Sequence, residues 1–438
     1  MLETVRNAFK LKEIRSRIIY TLLMLVVVRI GTQLPVPGVN GSYFSEWFSG
    51  NSGSAFGFFD AITGGSFEKM SVFALNITPY ITSSIIIQLL TIAIPKLEEL
   101  QKDGEEGRKK MTAITRYLTV ALALMESLAM AIGFGRSGLL IKFNALNVIT
   151  AVVTLTAGST VIMWIGERIT ENGVGNGISI VLTINIISRI PQDLTLLFEQ
   201  FVKGKEIAFQ VLNLAIIIAI IIIVTVLTVA LQGAERRIPV QYSRKVQGRK
   251  QVGGQTSHIP LKVNTAGVIP IIFAQSLFMF PLIIMQLLGK SGGNGIGGTI
   301  LKMLNQSNWC DFNEPIYSIG LIVYIALVIA FAYFYTSITF NPLEIADNMK
   351  KQGGFIPGIR PGKPTSEYLT KILNYIIFIG AVGLVIVAVI PIFFEGAFNA
   401  SISFGGTSLI IIVGVIIETL KQIESRMLVR NYKGFLND

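Results

Sequence analysis

The sequence predicts an all-α membrane protein with ten transmembrane helices, arranged as two inverted five-helix halves and carrying a short re-entrant helix. Three observations support this fold class. Of the 438 residues, 51% are hydrophobic and only 14% are charged, whereas soluble domains carry about 25% charged residues. Apolar stretches long enough to cross a bilayer recur along the chain, and Lys and Arg collect in alternate loops between them.

Ten stretches come close to the roughly 17–25 apolar residues that cross about 30 Å of hydrocarbon at 1.5 Å per residue. In chain order they cover residues 18–34, 71–94, 114–134, 146–166, 178–190, 211–231, 266–288, 316–338, 372–391 and 401–420. The sixth is the most continuous apolar run and can face lipid on all sides. The fifth is too short to cross alone unless its helix continues beyond Pro191.

The basic residues separate by side of the membrane. With ten spans both termini share one side, which holds 28 Lys and Arg residues, while the other side holds 8 and Arg29 lies within the first span. Those eight are Lys69, Arg136, Lys142, Arg189, Lys203, Lys205, Lys290 and Lys302. Because Lys and Arg are retained in cytoplasmic loops, the split predicts a multi-pass protein of the plasma membrane with both termini in the cytoplasm.

Five spans in each half divide the chain into residues 1–205 and 206–438, and an odd number per half makes a repeated second half inverted. The second span of each half is atypical, because both contain proline and several polar residues. These are Asn76, Thr78, Pro79, Thr82, Ser83, Ser84 and Gln88 in span 2, and Pro270, Gln275, Ser276, Pro281 and Gln286 in span 7. Paired interrupted helices indicate a central path, although polar residues that only hold helices together would give the same pattern.

The segment before span 2, residues 60–70, is moderately apolar, too short to cross and broken by Gly64 and Gly65. We expect a half-helix near residues 61–70 that enters the bundle, because non-helical backbone is tolerated at membrane depth only inside protein or a cavity. An ordinary external loop is equally compatible with the pattern.

Two cytoplasmic loops, residues 232–265 and 339–371, are long and basic, and short helices or hairpins fit in either. Their notable cations are Arg236, Arg237, Arg244, Lys245, Arg249, Lys250, Lys350, Lys351 and Arg360. Residues 357–362 form a turn rich in Pro and Gly that presents Arg360. The loops indicate a docking surface for an acidic or RNA-bearing cytosolic partner. Topology signals in contact with lipid headgroups are the alternative.

Residues for chemistry are nearly absent. One cysteine, Cys310, and one histidine, His258, exclude an intrachain disulfide and a paired-histidine zinc site, so we expect no enzyme activity, metal or cofactor. Arg29, Glu126 and Glu418 lie in or near spans, and we expect them to reach the interface rather than to form an ion relay. A channel, a transporter and a membrane-assembly scaffold all remain open from the residues alone.

Six segments carry a family resemblance. Residues 68–90, 164–179, 261–270, 341–348, 355–362 and 404–409 are similar, in order and spacing, to signatures of the SecY family, the pore subunits of the bacterial protein-conducting translocon. The resemblance covers nearly the whole chain. It implies a passive channel that moves unfolded preproteins across the bacterial plasma membrane and inserts membrane proteins laterally into it.

The resemblance also assigns residues to roles. The family's constriction ring falls on Ile81, Ile85, Leu182, Ile186, Ile272 and Ile411, with Leu182 a mild departure from the usual Ile. The plug falls on the segment containing Ile62, Thr63, Gly64, Gly65, Ser66 and Phe67. Spans 2 and 7, with spans 3 and 8, would form a lateral gate for signal peptides and nascent chains, and its residues are Thr82, Ser83, Ser84, Gln88, Gln275 and Ser276.

The implied partners are SecE, which would clamp the two halves, SecG, the SecA ATPase, the ribosome and membrane lipid, with no DNA among them. SecA or the ribosome would dock on the two basic loops, with Arg360 the main contact, and would supply direction. A ring of Ile and Leu would dewet when narrow, and the polar gate residues could pair across the closed seam at about 0.6–2 kcal/mol each. An inverted-repeat solute transporter and an assembly scaffold are the alternatives.

Overall fold

The computed structural model confirms the predicted fold class, since each of the ten predicted spans overlaps a helix. The structure describes residues 6, 8–50, 60, 62–135, 138–203, 207–242, 245–247, 250–252, 256–287, 296–305, 308–310, 314–398 and 406–434.

The first five spans lie in the part of the chain up to residue 205. Its helices are α1 (Lys12–Gly31), α2 (Gly41–Gly50), α3 (Thr78–Ala93), α4 (Pro95–Lys102), α5 (Gly104–Gly133), α6 (Ala145–Asn172) and α7 (Gly177–Phe201). Spans 1 to 5 are α1, α3, α5, α6 and α7. Helix α5 packs against α3 and α6, and α1 packs against α6 and α7.

The last five spans follow in the second part. Its helices are α8 (Ile207–Gly233), α9 (Ile269–Leu287), α10 (Ile296–Leu304), α11 (Ile319–Thr339), α12 (Pro342–Lys351), α13 (Lys363–Phe398) and α14 (Gly406–Gly434). Spans 6 to 10 are α8, α9, α11, α13 and α14. Helix α11 packs against α9 and α13, and α8 packs against α13 and α14.

Six helical segments in the described residues are long and apolar enough to cross a membrane by length and composition alone. They lie in α5, α6, α7, α8, α11 and α13, and the bent pair α3 and α4 makes a seventh if it is one span. Helix α3 has only 16 residues, so it reaches through about 24 Å at 1.5 Å per residue.

The start of span 2 differs from the prediction. The sequence predicts apolar helix from residue 71, but α3 begins at Thr78. Met70 and Asn76 have φ angles of 45° and 50°, which right-handed helix does not contain. Pro79 occupies the first turn of α3, where its missing N–H removes no helical hydrogen bond. At its other end α3 meets α4 at a bend of 110°.

Span 5 is longer than its apolar run, because α7 continues beyond Pro191 to Phe201. The turn before it is tight, with only residues 173–176 between α6 and α7. The Asn176 side chain accepts hydrogen bonds from the backbone N–H groups of Ile178 and Ser179 and so caps the new helix. A Cβ on Gly177 would lie 2.0 Å from the backbone oxygen of Gly166, so α6 and α7 can approach this closely only with glycine there.

The two basic loops fold together into a small platform. Strand β1 (Glu235–Tyr242) pairs antiparallel with β4 (Thr256–Lys262) on one edge and with β5 (Gly354–Phe355) on the other. Strands β2 (Lys245–Gln247) and β3 (Lys250–Val252) form a separate hairpin. The buried face of the sheet packs on the start of α13. The expectation that hairpins or short helices fit in these loops is therefore confirmed, with α12 as the short helix.

The buried apolar residues form separate cores in the two halves. Two clusters contain residues of the first half alone, and two contain residues of the second half alone. Two smaller clusters join the halves, one around Ile186 and Ile411 and one that brings Ala8 and Ile14 against Ile423. The second places the beginning and the end of the described chain at the same end of the bundle.

Candidate pore at the junction of the two halves

The six residues proposed for the constriction come from four helices. They are Ile81 and Ile85 on α3, Leu182 and Ile186 on α7, Ile272 on α9 and Ile411 on α14. On α3 and α7 the two residues are four positions apart and so lie on one face. Leu182, Ile186 and Ile411 are buried and the other three are half-buried. None of the six therefore lies on the exposed outer surface of the bundle.

Five of the six residues proposed for the ring fall in two adjoining apolar clusters, and Ile85 belongs to neither of them. Ile186 and Ile411 belong to one apolar cluster, against which Ile272 packs. Leu182 belongs to a neighbouring cluster, against which Ile81 packs. Ile180 of α7 packs against both clusters. Helices α3, α7, α9 and α14 thus bring aliphatic side chains to one waist.

The side chains at this waist have the chemistry that a seal would need. Aliphatic side chains offer no hydrogen bonds to water or ions, so a narrow constriction lined by them excludes both. Within the described part of the chain, no group of three or more His, Cys, Asp or Glu residues is placed to hold a metal ion.

The segment that the resemblance names as the plug turns into the bundle. Thr63, Ser66 and Phe67 are buried. Gly65 is also buried, and Gly64 is half-buried. The sequence predicts a half-helix over residues 61–70, but the described helix ends at Thr63 and turns follow. Gly64 and Gly65 have φ angles of +69° and +79°, a conformation that ends a helix and favours glycine.

This re-entrant segment, which the structure describes at residues 60 and 62–77, lies against the waist. Ile62 packs against the apolar cluster that contains Leu182. A Cβ on Gly64 would lie 2.8 Å from the backbone oxygen of Asn185, next to ring residue Ile186. The Asn76 Nδ2 donates to the backbone oxygen of Ile62 at 3.0 Å, which ties the inner turn to the chain that enters α3.

A buried ionic cluster holds the outer side of the same segment. Arg189 of α7 forms ion pairs with Asp60, with Glu68 at 3.5 Å and with Asp193 at 3.5 Å. The Asp60 Oδ1 also accepts the backbone N–H of Glu68 at 2.8 Å. The carboxylate of Asp60 therefore closes the re-entrant turn and contacts α7 at the same time.

The sequence did not reveal this cluster, because it counts Arg189 among the basic residues on the external side, at the end of span 5. In the structure Arg189 lies inside α7 and is buried. The available signal was the spacing of Arg189 and Asp193, which lie four positions apart on one helical face once α7 extends past Pro191. Nothing in the sequence pairs Arg189 with the distant Asp60.

Two of the four hydroxyls proposed for the gate are satisfied within their own helix. Thr82 donates to the backbone oxygen of Thr78 at 3.1 Å, and Ser83 donates to that of Pro79 at 2.7 Å. The expected donation across the closed seam is therefore wrong for these two donors. Ser84, Gln88 and Ser276 are half-buried.

Gln275 behaves differently from the gate hydroxyls. Its side chain on α9 is buried, and its Oε1 has no hydrogen-bond partner among the described residues. Helix α9 packs against α5 of the first half and α11 of the second. An unpaired, buried amide oxygen on α9 costs free energy and is available to a donor from another chain or from water.

The cations proposed for docking are exposed where the structure describes their side chains. Arg236, Arg237, Lys350, Lys351 and Arg360 are exposed, and Arg237 pairs with Glu235. The turn that presents Arg360 is fixed by Thr365, whose hydroxyl donates to the Arg360 backbone oxygen at 2.8 Å. Arg244 and Arg249 lie outside the described residues, as do the side chains of Lys245 and Lys250.

The three charged residues in or near spans have different environments. Glu418 is exposed and Glu126 is half-buried. Arg29 does more than reach the interface, because its Nη1 donates to the backbone oxygen of Gly64 at 3.4 Å. Two arginines, Arg29 and Arg189, therefore contact the re-entrant segment from different helices.

Comparisons with known proteins agree on one family. The family model SecY matches residues 71–420 of the chain. A curated relative from Halalkalibacterium halodurans, described as "Protein translocase subunit SecY", is 42% identical over 443 residues, covering 100% of each chain.

Two solved structures share the fold. One concerns the plug domain of a SecY protein, said there to stabilise the closed state of the translocation channel; it matches with a TM-score of 0.63 and 19% identity, over 94% of this chain and 92% of that chain. The other is Sec61 in a canine ribosome–channel complex, with a TM-score of 0.62 and 18% identity over the same shares. At these identities the likeness shows the fold alone.

Proposed function

The chain belongs to the SecY family of protein translocase subunits, and we propose that its ten helices form a passive channel for unfolded preproteins. The family is one of channels, and the chain is a multi-pass bacterial membrane protein and not an enzyme. The channel translocates polypeptides across the plasma membrane and releases apolar segments sideways into lipid.

The observation that carries this proposal is the aliphatic waist. Residues of α3, α7, α9 and α14, drawn from both halves, meet in two adjoining apolar clusters. A ring without hydrogen-bonding groups closes around an extended polypeptide of any sequence, and it excludes ions when it is narrow. A transporter for one solute would instead need placed polar groups at its centre to recognise that solute.

The re-entrant segment acts as the plug of the resting channel. Ile62 packs on the cluster of Leu182 from one side of the waist, and Gly64 abuts α7 beside Ile186. The proposed plug is a buried turn between Ile62 and Phe67 rather than an isolated helix. Phe67 packs edge-on against Phe44 with ring centroids 5.3 Å apart, so the movable part lies before Phe67.

Lateral release occurs between the halves, where α9 packs against α5. Because Thr82 and Ser83 donate within α3, separating α3 from α9 breaks no hydrogen bond donated by either. The unpaired Oε1 of Gln275 gains a partner when a polypeptide or water enters. An apolar signal helix of about 10–15 residues then replaces helix contacts of modest strength.

Partners supply the direction that a passive pore lacks. The exposed cations of the platform, Arg236, Arg237, Lys350, Lys351 and Arg360, form a basic surface suited to an acidic or RNA-bearing partner. We assign this surface to the SecA ATPase and to the ribosome, and we assign SecE to a clamp around the halves with SecG as a further subunit. The positive-inside distribution and the contact of both ends of the chain support cytoplasmic termini.

The test is reconstitution of the full-length chain with SecE in lipid vesicles. Preprotein should become protected from external protease only when SecA and ATP are present, because the pore has no energy source. Transport of a small solute without either addition would favour the solute transporter. Vesicles that protect no preprotein with all components present would contradict the proposal and favour an assembly scaffold.

A further inference from the structure

The ionic cluster beside the waist contains buried charges for which the proposed pore has no use. Exposed fractions are 6% for the Arg189 side chain, 0% for Asp60 and 2% for Asp193, while Glu68 retains 20%. Charges are desolvated at a cost of several kcal/mol per ion in a protein interior, so such groups persist only with good partners. Replacing them with apolar residues would often be neutral for stability, which argues for a role other than stability.

The cluster joins two separate parts of the molecule. Arg189 and Asp193 belong to α7, whereas Asp60 and Glu68 belong to the re-entrant segment. The guanidinium therefore meets carboxylates from both sides of the contact between plug and pore wall.

The position of the cluster relates directly to the ring. Arg189 follows Ile186 by three residues on α7, about 4.5 Å further along the helix axis. Leu182, Ile186, Arg189 and Asp193 form one buried stripe on this helix. The ions thus lie immediately beyond the aliphatic waist, on the side from which the re-entrant segment approaches.

Local hydrogen bonds make Asp60 part of the shape of the turn. Besides the Glu68 N–H on its carboxylate, its backbone oxygen accepts the Gly65 N–H at 3.1 Å and the Thr63 hydroxyl at 3.1 Å. Moving Asp60 away from Arg189 therefore moves the turn that carries Ile62. The ionic contact and the apolar contact with the waist break together.

We propose that Arg189 is a positioning residue that latches the re-entrant segment over the waist and so sets how often the resting channel opens. This inference rests on the proposed function and adds a regulatory device to the same site. When the segment leaves, water enters and hydrates the separated ions, which offsets part of the lost pairing. The latch thus fixes one closed position without preventing opening.

The test measures exposure of the segment rather than transport. A reporter cysteine replaces the buried Ser66 in a Cys310→Ser background, in the full-length chain assembled in cell membranes. A membrane-impermeant maleimide is added from outside and the labelling rate is measured. Arg189→Gln should raise this rate at least about tenfold, because the carboxylates facing residue 189 lose their countercharge. Asp60→Asn should raise it less, since Arg189 keeps Glu68 and Asp193.

A matched control and a double variant separate a latch from general damage. Lys203→Ala removes an exposed pair with Glu199 at the same end of α7 and should change the rate less than about twofold. Arg189→Gln combined with Asp60→Asn should label no faster than Arg189→Gln alone, because one uncompensated charge has been removed. Additive increases would indicate misfolding and would overturn the proposal.

The inference is also overturned if Arg189→Gln and Asp60→Asn both stay within about twofold of the parent rate. Because labelling requires no preprotein, its outcome is independent of the proposed function. Faster labelling in a chain that transports no preprotein would keep the latch and reject the channel.

Discussion

At the scale of single residues, Gly64 shows how closely the re-entrant segment approaches α7. A Cβ at this position would lie 2.8 Å from the backbone oxygen of Asn185, and its φ of +69° costs other residues about 1–2 kcal/mol. Gly65 has a similar φ of +79°, but the nearest atom to its Cβ, on Arg189, would be 3.8 Å away. Both glycines therefore have a strained backbone for other residues, but only Gly64 also makes a close steric contact with α7.

Gly64→Ala should therefore destabilise the protein more than Gly65→Ala does. Both substitutions introduce the strain of a side chain at positive φ. Only Gly64→Ala also pushes the segment away from α7. We expect the apparent thermal midpoint of the purified protein to fall at least about 2 °C further for Gly64→Ala. Equal shifts for the two variants would show that the segment does not press on α7 at this point.

The ring makes a second prediction at this scale. Ile186→Asn places a hydrogen-bonding group in the waist, so the constriction should wet more easily. The resting ion leak of vesicles that contain the protein should rise at least about fivefold. Ile186→Leu, which keeps an aliphatic side chain, should leave the leak unchanged. An ion leak that Ile186→Asn leaves unchanged would show that Ile186 is not part of the seal.

At the scale of elements, apolar length predicted each spanning helix because the bilayer imposes that length. The ends were less predictable, since helices continue beyond the apolar run: α13 begins at Lys363 and not at residue 372. Span 2 was shorter than predicted because left-handed residues occupy its first turns. Hydropathy does not register that conformation.

The strands of the platform could be predicted from local sequence patterns, but their pairing could not. In β1 the buried residues Ile238 and Val240 alternate with exposed ones, which is the period of a strand and a signal that the sequence contained. The pairing of β1 with β5 joins two loops that are distant in sequence. Long-range contacts of this kind, like that between Arg189 and Asp60, are set by the packed bundle and leave no local pattern.

The platform also makes a testable prediction. Arg360→Glu should reduce SecA-driven preprotein transport about tenfold by weakening docking, with little change in stability because the side chain is exposed. Lys363→Glu is the control, since it reverses another exposed charge at the adjoining start of α13. The binding of SecA to vesicles is measured for both. Equal losses of SecA binding and transport in both variants would indicate a general effect of charge. No loss with Arg360→Glu would show that Arg360 is not part of the docking surface.

At the scale of the whole molecule, the two halves have their own cores and are joined by two smaller apolar clusters. Most buried apolar residues belong to one half, while the cluster of Ile186 and Ile411 joins them at the waist. Separating the halves there opens a path while leaving four cores intact. This division explains how a stable bundle can admit a polypeptide without unfolding.

The measurement that tests the central claim most directly is site-specific photo-crosslinking to a preprotein arrested during transport. A photoreactive residue replaces Ile186, Ile272 or Ile411 of the waist, and Ile222, an exposed residue of α8, serves as the control. The waist positions should crosslink to the arrested chain and Ile222 should not. Crosslinks that form at Ile222 but at none of the waist positions would show that polypeptides do not pass where the two halves meet.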